Sequence, residues 1–283
     1  MNGPHDTFVL RNGYEIPCIG FGTWKMPDGQ EAIDAINVAL DAGYRHFDTA
    51  AAYENEESVG KALRRSGIDR SELFVTSKLW ASDRGYDSAL KAFDSSLKKL
   101  GLEYLDLYLV HWPAAKGADE VWQKENADTW RALEKLYNDG YIRAIGVSNF
   151  KPHHLEPLMK VSEIDPMVNQ VEMHPGFPQT ETKKFCDLSG ILVEAWSPLG
   201  QGRVLDDDRL LEIAVNYGVT VAQLCIRWCL QNNAVPLPKS MTPERIRENA
   251  DVFGFDISAD DMRKINELEQ FGMSGLDPDE VDF

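Results

Sequence analysis

Four polar residues lie at or just beyond the ends of apolar segments, where their side chains could carry out acid–base chemistry. Asp48, Lys78 and His111 each end a short apolar run, and Tyr53 follows Asp48 by five residues. A phenol titrates near 10 and is a weak acid at neutral pH unless a cation stabilises its anion. An ammonium about 4 Å away contributes on the order of 4 kcal/mol, roughly three pKa units, before desolvation opposes it. We therefore expect Lys78 to make Tyr53 more acidic.

Together these residues could protonate a carbonyl oxygen. Tyr53 donates the proton, and Lys78 stabilises the phenolate that remains. Asp48 keeps Lys78 charged, and His111 orients the carbonyl oxygen by a hydrogen bond. Taken singly, each has an ordinary structural explanation, as a helix cap, a packed ring, a solvated amine or a core imidazole. An ionised Asp and Lys at the end of an apolar strand are costly to bury unless they are paired, which favours a shared site.

Protonation of a carbonyl oxygen requires a nucleophile at the carbonyl carbon. The sequence contains no serine or cysteine nucleophile elbow and no cluster of metal ligands, so we predict that no metal is bound. An external hydride donor, a nicotinamide, is the simplest remaining nucleophile.

These side chains must be positioned by strands, and apolar runs alternate along the chain with amphipathic segments of helical period. We predict eight strands, at residues 18–22, 45–48, 73–78, 105–111, 143–147, 167–172, 192–195 and 234–237. Their nearly continuous apolar character is typical of parallel strands covered on both faces. The pattern predicts an α/β fold, a (β/α)₈ TIM barrel, in which residues just past the strand ends meet at one mouth.

A doubly wound sheet is the main alternative to a barrel. It would need a phosphate loop, but neither Gly20 with Gly22 nor Gly200 with Gly202 is completed to Gly-x-Gly-x-x-Gly. Before the first barrel strand, Asn12-Gly13 predicts a two-residue hairpin turn, and we expect that hairpin to close the barrel floor. Nothing in the sequence resembles a domain linker, so we expect one domain over residues 1–283, with residues 206–231 as an elaboration within it.

Composition restricts the partners. The chain has 283 residues, 29 Lys+Arg and 46 Asp+Glu, and a formal charge of −17. A surface with this much negative charge repels nucleic acids and anionic lipids. We therefore expect neither of them as a partner. No stretch approaches the length of a membrane span, no export signal is recognisable, and the four cysteines form no Cys-x-x-Cys pair. We expect reduced core thiols and a cytoplasmic protein.

Beyond these patterns, ordered motifs along nearly the whole chain resemble the aldo-keto reductases. They include Gly-Phe-Gly-Thr-Trp at 20–24, Asp-Thr-Ala-Ala-Ala-Tyr-Glu-Asn-Glu at 48–56, Lys-Leu-Trp at 78–80, Val-His-Trp-Pro at 110–113, Gly-Val-Ser-Asn-Phe at 146–150 and Asn-Gln-Val-Glu at 169–172. The resemblance implies that Asp48, Tyr53, Lys78 and His111 match the family's catalytic tetrad and that the cofactor is NADPH/NADP. Trp196, with Pro-Leu-Gly-Gln-Gly at 198–202, is most similar to the bacterial 2,5-diketo-D-gluconate reductase branch, although Ser197 stands at a glycine position of that branch.

The resemblance also implies a set of cofactor residues. Ser148, Asn149 and Gln170 would hold the nicotinamide carboxamide, and Trp196 would stack on the ring. The pyrophosphate would lie at residues 197–202, where small residues admit backbone contacts. Lys239, Ser240 and Arg245, beside a helix start at Thr242-Pro243, would bind the 2′-phosphate, and Glu248 and Asn249 the adenine. The complete predicted set is Gly22, Thr23, Trp24, Asp48, Ser148, Asn149, Gln170, Trp196, Ser197, Pro198, Leu199, Gly200, Gln201, Lys239, Ser240, Arg245, Glu248 and Asn249.

The predicted substrate pocket has aromatic walls. Its residues are Trp24, Lys25, Trp80, His111 and Trp112, with Lys25 as a partner for a substrate carboxylate. The tail at residues 271–283 could fold over this pocket as a mobile loop. We expect a monomeric reductase of small aldehydes, α-dicarbonyls, keto sugars or 2,5-diketo-D-gluconate. Two alternatives stay open: a cofactor-binding regulatory member of the family with little turnover, and a barrel lyase or isomerase that uses Lys78 as a Schiff-base amine.

Overall fold

The computed structural model describes residues 1–114 and 121–281. The strands in these ranges are β1 (Thr7–Val9), β2 (Glu15–Pro17), β3 (Gly20–Gly22), β4 (His46–Asp48), β5 (Phe74–Leu79), β6 (Leu105–Val110), β7 (Ile142–Ser148), β8 (Val168–Glu172), β9 (Leu192–Trp196) and β10 (Ala234–Leu237). The α-helices are α1 (Gln30–Asp41), α2 (Glu56–Arg65), α3 (Tyr86–Leu100), α4 (Val121–Asn138), α5 (Pro152–Met159), α6 (Thr180–Leu188), α7 (Asp208–Tyr217), α8 (Val221–Gln231), α9 (Pro243–Ala250) and α10 (Ala259–Asn266).

Strands β3 to β10 form one parallel sheet in chain order. Its two edges approach each other, since the Gly22 N–H donates to the Pro238 carbonyl at 3.0 Å, just beyond β10. The sheet is therefore a nearly closed barrel surrounded by helices, and the predicted (β/α)₈ fold is confirmed. All six residues of β5 and of β6 are buried, as strands covered on both faces must be.

The predicted site residues lie at one end of the barrel, because the C-terminal ends of its parallel strands all meet there. Asp48 is the last residue of β4, Lys78 lies one residue before the end of β5, and His111 directly follows β6. Ser148 ends β7, and Gln170 lies within β8. The strands that carry the predicted site residues lie within two residues of the predicted bounds at each end.

The N-terminal hairpin lies at the other end of the barrel, as predicted. Strands β1 and β2 pair antiparallel, and Ile16 is fully buried. The predicted two-residue turn is wrong: Val9 pairs with Glu15, so five residues separate the paired strands. Within this loop the Leu10 N–H bonds to the Tyr14 carbonyl, so the turn itself spans residues 11–13, one residue more than predicted. The Asn12 side chain accepts the Tyr14 N–H, and Gly13 has a φ of 82°.

Residues 206–231, predicted as one elaboration, divide into two parts. Helix α8 packs on β10 and thus serves as the crossover between β9 and β10, whereas α7 packs against α8 and is the additional helix. The four cysteines are buried and unbridged. In the described ranges no single helix is long and apolar enough to cross a membrane. Helices α7 and α8, which are bent relative to each other, reach the required length and apolar composition only as a pair.

Asp106 on β6 anchors the floor. Its Oδ1 accepts the Tyr14 hydroxyl at 2.8 Å, and its Oδ2 accepts the Arg70 guanidinium at 2.6 Å and the Val75 N–H at 2.9 Å. Asp106 is 1% exposed, so its loss would remove one hydrogen bond each from Tyr14, Arg70 and Val75 inside the protein.

We predict that Asp106→Ala lowers the free energy of unfolding by about 3 kcal/mol and Tyr14→Phe by about 1 kcal/mol, because the first removes a buried charge partner and the second one hydrogen bond. Urea denaturation of both variants measures these values. Equal, small losses would show that the hairpin is not anchored through Asp106.

Candidate active site

The tetrad predicted from strand ends is assembled at the barrel mouth. The Lys78 ammonium donates to Asp48 Oδ1 at 2.6 Å, to the Thr49 carbonyl at 3.0 Å and to the Tyr53 hydroxyl at 3.2 Å. Lys78 has no exposed surface. A lysine ammonium has three N–H donors, and each has an acceptor here.

These contacts fix the charge of Lys78. Burial lowers its pKa, but Asp48 and Tyr53 together raise it further, so the net pKa lies above the ordinary value. Lys78 is therefore a cation at neutral pH. An amine that holds its proton and has its donors engaged is not a nucleophile, which removes the basis for a Schiff-base mechanism.

The effect of Lys78 on Tyr53 is opposed by the surroundings. Burial raises the pKa of Tyr53, the Lys78 ammonium lowers it, and Asp48 raises it again. The net pKa lies above 10.0, so the expectation of a more acidic phenol is wrong for the resting site. Loss of hydration of the phenolate outweighs the attraction of the ammonium. Tyr53 consequently holds its proton at neutral pH, as a proton donor must.

His111 completes the mouth. Its ring lies 5.6 Å from the Tyr53 ring and 5.2 Å from the Trp80 ring, centroid to centroid. Burial, and secondarily the charge of Lys78, hold the pKa of His111 well below its ordinary value. The imidazole is thus neutral, and Nδ1 is buried without a hydrogen-bond partner among the described residues. A neutral ring can donate one hydrogen bond to a carbonyl oxygen.

Next to the tetrad, Asn149, which directly follows β7, meets the indole of Trp196, the last residue of β9. The Trp196 indole N–H donates to Asn149 Oδ1 at 2.8 Å, and Asn149 Nδ2 donates to the His111 carbonyl at 3.0 Å. Asn149 takes a φ of 64°, a left-handed conformation that Asn tolerates better than most residues. Gln170 Nε2 donates to Asp48 Oδ2 at 2.9 Å, which links this group to the tetrad.

One continuous cleft of about 1230 Å³ runs from the tetrad to the start of α9. It is large for a site that holds only a small molecule. The predicted residues that line it are Gly22, Trp24, Lys25, Asp48, Tyr53, Trp80, His111, Trp112, Ser148, Asn149, Gln170, Trp196, Ser197, Pro198, Leu199, Gln201, Lys239, Ser240, Arg245, Glu248 and Asn249.

Three predicted residues do not line the cleft. Lys78 lies beneath Tyr53, as its role requires. Thr23 is fully buried and donates its hydroxyl to the Asp48 carbonyl at 2.9 Å. Gly200, at a φ of 53°, packs so closely on Val204 that a Cβ would come within 2.9 Å of it. The Thr23 side chain and the close packing at Gly200 therefore support the wall of the cleft, and their predicted contact with the cofactor stays a prediction.

The far end of the cleft is positively charged. Among the described residues no carboxylate forms an ion pair with Lys239 or Arg245 at this end, or with Lys25, whose ammonium lies 4.3 Å from the centre of the Trp24 ring, although acidic residues dominate the composition. Burial and the neighbouring Lys25 lower the pKa of Lys239, so these two cations are close enough to repel each other. Cations without a carboxylate partner around one cavity are suited to an anionic ligand.

Several lining residues were not predicted. Thr220, the N-cap of α8, donates its hydroxyl to Glu248 Oε1 at 2.7 Å and so orients that carboxylate. The pattern Thr220-x-x-Gln223, a capping box, was the available signal. Leu276, in the C-terminal tail, also lines the cleft. The tail is held in place by Ser274, whose N–H and hydroxyl donate to the two carboxylate oxygens of Glu172. No local pattern identifies that contact, since 102 residues separate its partners.

A neutral phenol held by a charged lysine, open to a cleft with a cationic end, is consistent with a barrel oxidoreductase that reduces carbonyl groups with a phosphorylated cofactor. Comparisons with known proteins agree. The model of the aldo/keto reductase family matches residues 18–270.

Curated relatives and solved structures extend this match. The chain is 52% identical over 278 residues to glyoxal reductase from Bacillus subtilis (strain 168), with 98% of each chain covered. It is 42% identical over 273 residues to methylglyoxal reductase DkgA from Escherichia coli O157:H7, with 96% of each covered. A crystal structure of a Gox0644 mutant in complex with NADPH has a TM-score of 0.91 and 42% identity, with 99% of each chain covered. The chain belongs to the aldo-keto reductase family and is an NADP-dependent oxidoreductase.

Proposed function

We propose that this enzyme reduces small aldehydes and ketones with NADPH and that Tyr53 is its general acid. The observation that carries the proposal is the Lys78 ammonium, which bonds to both Asp48 and the Tyr53 hydroxyl. NADPH, when bound, supplies the hydride. The protein must then deliver a proton to the carbonyl oxygen without holding a phenolate at rest.

Tyr53 goes from a neutral phenol to a phenolate when it donates its proton. Tyr53 keeps its proton at neutral pH because its surroundings disfavour the phenolate. As the proton moves to the carbonyl oxygen, negative charge develops on Tyr53 Oη, and the Lys78 donor 3.2 Å away is already in place to stabilise it. The neutral imidazole of His111 donates a hydrogen bond to the same carbonyl oxygen and orients it.

The lining residues fit an NADPH molecule along the cleft. The indole face of Trp196 offers a stacking surface, and Ser148, Asn149 and Gln170 offer polar groups for a carboxamide. At the other end Lys239, Ser240 and Arg245 would hold the 2′-phosphate. A Cβ on Gly22 would lie 3.0 Å from the Leu237 carbonyl oxygen, so a side chain there would press on the backbone of β10.

The substrate range follows from the walls near Tyr53. Trp24, Trp80 and Trp112 surround the mouth, which favours compact, partly apolar carbonyl compounds. The relatives named glyoxal reductase and methylglyoxal reductase support α-dicarbonyls as substrates. Keto sugars and 2,5-diketo-D-gluconate remain part of the proposal because Lys25, which is exposed at the cleft, could pair with a sugar-acid carboxylate.

The two alternatives are less consistent with the geometry. A regulatory protein with little turnover would not need the phenol, ammonium and carboxylate at hydrogen-bond distances. A Schiff-base enzyme would need a neutral amine at Lys78. We further propose that residues 1–283 act as one domain and as a monomer, because one chain supplies the whole cleft. A reducing, cytoplasmic location is consistent with four buried free thiols.

We predict that Tyr53→Phe lowers kcat with methylglyoxal by about 10²- to 10⁴-fold, because a general acid is lost. NADPH affinity should stay within about twofold, since the hydroxyl is not needed to bind an anion. Absorbance of NADPH with methylglyoxal, phenylglyoxal and a diketo sugar acid measures turnover, and Tyr104→Phe, at the barrel floor, is the matched control. Equal rates in wild type and Tyr53→Phe would exclude Tyr53 as the acid; borohydride trapping of substrate would instead indicate a Schiff base.

Substitution of the cations should separate NADPH from NADH. We predict that Lys239→Ala and Arg245→Ala each raise the KM for NADPH about tenfold or more, because a charge-assisted hydrogen bond to the 2′-phosphate is lost. The KM for NADH should not change, and the effect should weaken as salt rises. Arg247→Ala, on the same helix but outside the cleft, is the control. A parallel loss with NADH would place these cations elsewhere on the cofactor.

Lys25 can be assigned by the kind of substrate. If it binds a substrate carboxylate, Lys25→Ala should lower kcat/KM for sugar acids about tenfold and leave uncharged aldehydes unchanged. Steady-state kinetics on both substrate types measures this. Equal losses on both, with a raised KM for NADPH, would assign Lys25 to the cofactor phosphates beside Lys239.

A further inference from the structure

Beneath the tetrad, a second carboxyl group is buried inside the barrel. Glu194 lies on β9 and has no exposed surface. Its Oε2 accepts a hydrogen bond from Gln170 Nε2 at 2.8 Å, and the same Nε2 donates to Asp48 Oδ2 at 2.9 Å. Gln170 is thus held between two carboxyl groups, one from β4 and one from β9.

This arrangement fixes the orientation of the Gln170 amide. Its NH₂ group has two hydrogens, and both have an acceptor. Gln170 lines the cleft, and the amide atom left for a ligand is the oxygen Oε1. A flipped amide would place that oxygen against the Asp48 carboxylate and would take the NH₂ donors away from both acceptors. With Asp48 alone, only one of these two restraints would remain.

The groups around Glu194 keep it uncharged. Burial, and next the charge of Asp48, raise its pKa to about 8, while Gln170 and Lys78 lower it by less. The other facing groups are His46 on β4, whose Nε2 lies 3.5 Å from Glu194 Oε1, and Thr76 on β5, which bonds to that same Nε2 at 3.1 Å. Burial, and then Lys78, lower the pKa of His46 to about 3, so the imidazole is neutral. Glu194 Oε1 has no hydrogen-bond partner among the described residues.

We propose that Glu194 is a positioning residue for the nicotinamide end of the cofactor cleft, which holds the Gln170 amide with its oxygen toward the cleft. The inference rests on the proposed function, in which Gln170 meets the carboxamide of NADPH. An oxygen at that position accepts from a carboxamide NH₂ group and rejects its carbonyl oxygen. Glu194 therefore acts on cofactor binding through Gln170 and does not touch the reacting atoms.

The test compares NADPH binding in three variants by fluorescence titration at pH 7. Glu194→Met keeps a long side chain but removes the oxygen that accepts from Gln170. Glu194→Gln keeps a neutral acceptor. Glu134→Met is the control, because Glu134 is a buried carboxylate on α4 outside the cleft whose Oε1 accepts the N–H groups of Glu163 and Ile164.

We expect Glu194→Met to raise the Kd for NADPH about fivefold or more, the usual worth of one hydrogen bond. Glu194→Gln should restore most of that affinity. Glu134→Met should lower the melting temperature without a change in Kd. If Glu194→Met loses stability but keeps its Kd, or if Glu194→Gln binds as poorly as Glu194→Met, the proposal is overturned. Absence of NADPH binding by the wild type would instead refute the proposed function.

A second measurement tests the uncharged state and needs no cofactor. In the unfolded chain Glu194 loses its proton near pH 4.5, whereas in the folded protein it holds the proton up to about pH 8. Between these values the folded state binds one more proton, so the wild type loses stability as pH rises. The melting temperature of Glu194→Gln minus that of the wild type should therefore increase from pH 5 to about pH 8 and then level off. A constant difference would mean that Glu194 is ionised in the folded protein over this whole range, which would contradict the uncharged state inferred from its burial.

Discussion

The site depends on one ammonium group that is held away from water. Lys78 has no exposed surface, and burial of an isolated charge costs more than most proteins have in net stability. Asp48 neutralises the charge at 2.6 Å, while Thr49 and Tyr53 accept its other two hydrogens. Asp48 ends β4 opposite Thr76 on β5, so the strand register places Lys78 two residues further along the same face. A shift of one residue would leave the ammonium unpaired.

Charge in this protein is arranged at two scales. The whole chain carries −17, yet the cleft has a cationic end at Lys239 and Arg245 that forms no ion pair with a described carboxylate. Exposed charges beyond about 8 Å are screened at physiological ionic strength, so the nearby cations dominate for a bound anion. Inside the barrel, the Lys78 cation is paired with Asp48 and is otherwise surrounded by neutral groups. His46, His111 and Tyr53 each have a pKa that is shifted toward the uncharged form.

Much of this architecture could be predicted from the sequence, because strand ends in a parallel barrel converge and the apolar runs mark those ends. The strand ends predict Asp48, Lys78 and His111 as site residues, and the distance of Tyr53 from Asp48 along the chain predicts Tyr53. The direction in which the Tyr53 pKa shifts could not be predicted, because it depends on how much hydration the phenolate loses on burial. The bridge from Asp48 through Gln170 to Glu194 depends on contacts across the barrel, between residues up to 122 positions apart. Thr23 and Gly200 belong to motifs that suggest ligand contact, but their packing is visible only in the fold.

The central claim is that Lys78 acts on the reaction through Tyr53, and a double-mutant cycle on turnover tests it most directly. The kcat for methylglyoxal would be measured for Tyr53→Phe, Lys78→Met and the double variant. If the two residues form one unit, their effects are not additive, and the double variant should be about as slow as the slower single variant. If instead the two losses multiply, Lys78 contributes independently of the phenol, and a mechanism in which the ammonium acts through Tyr53 is contradicted.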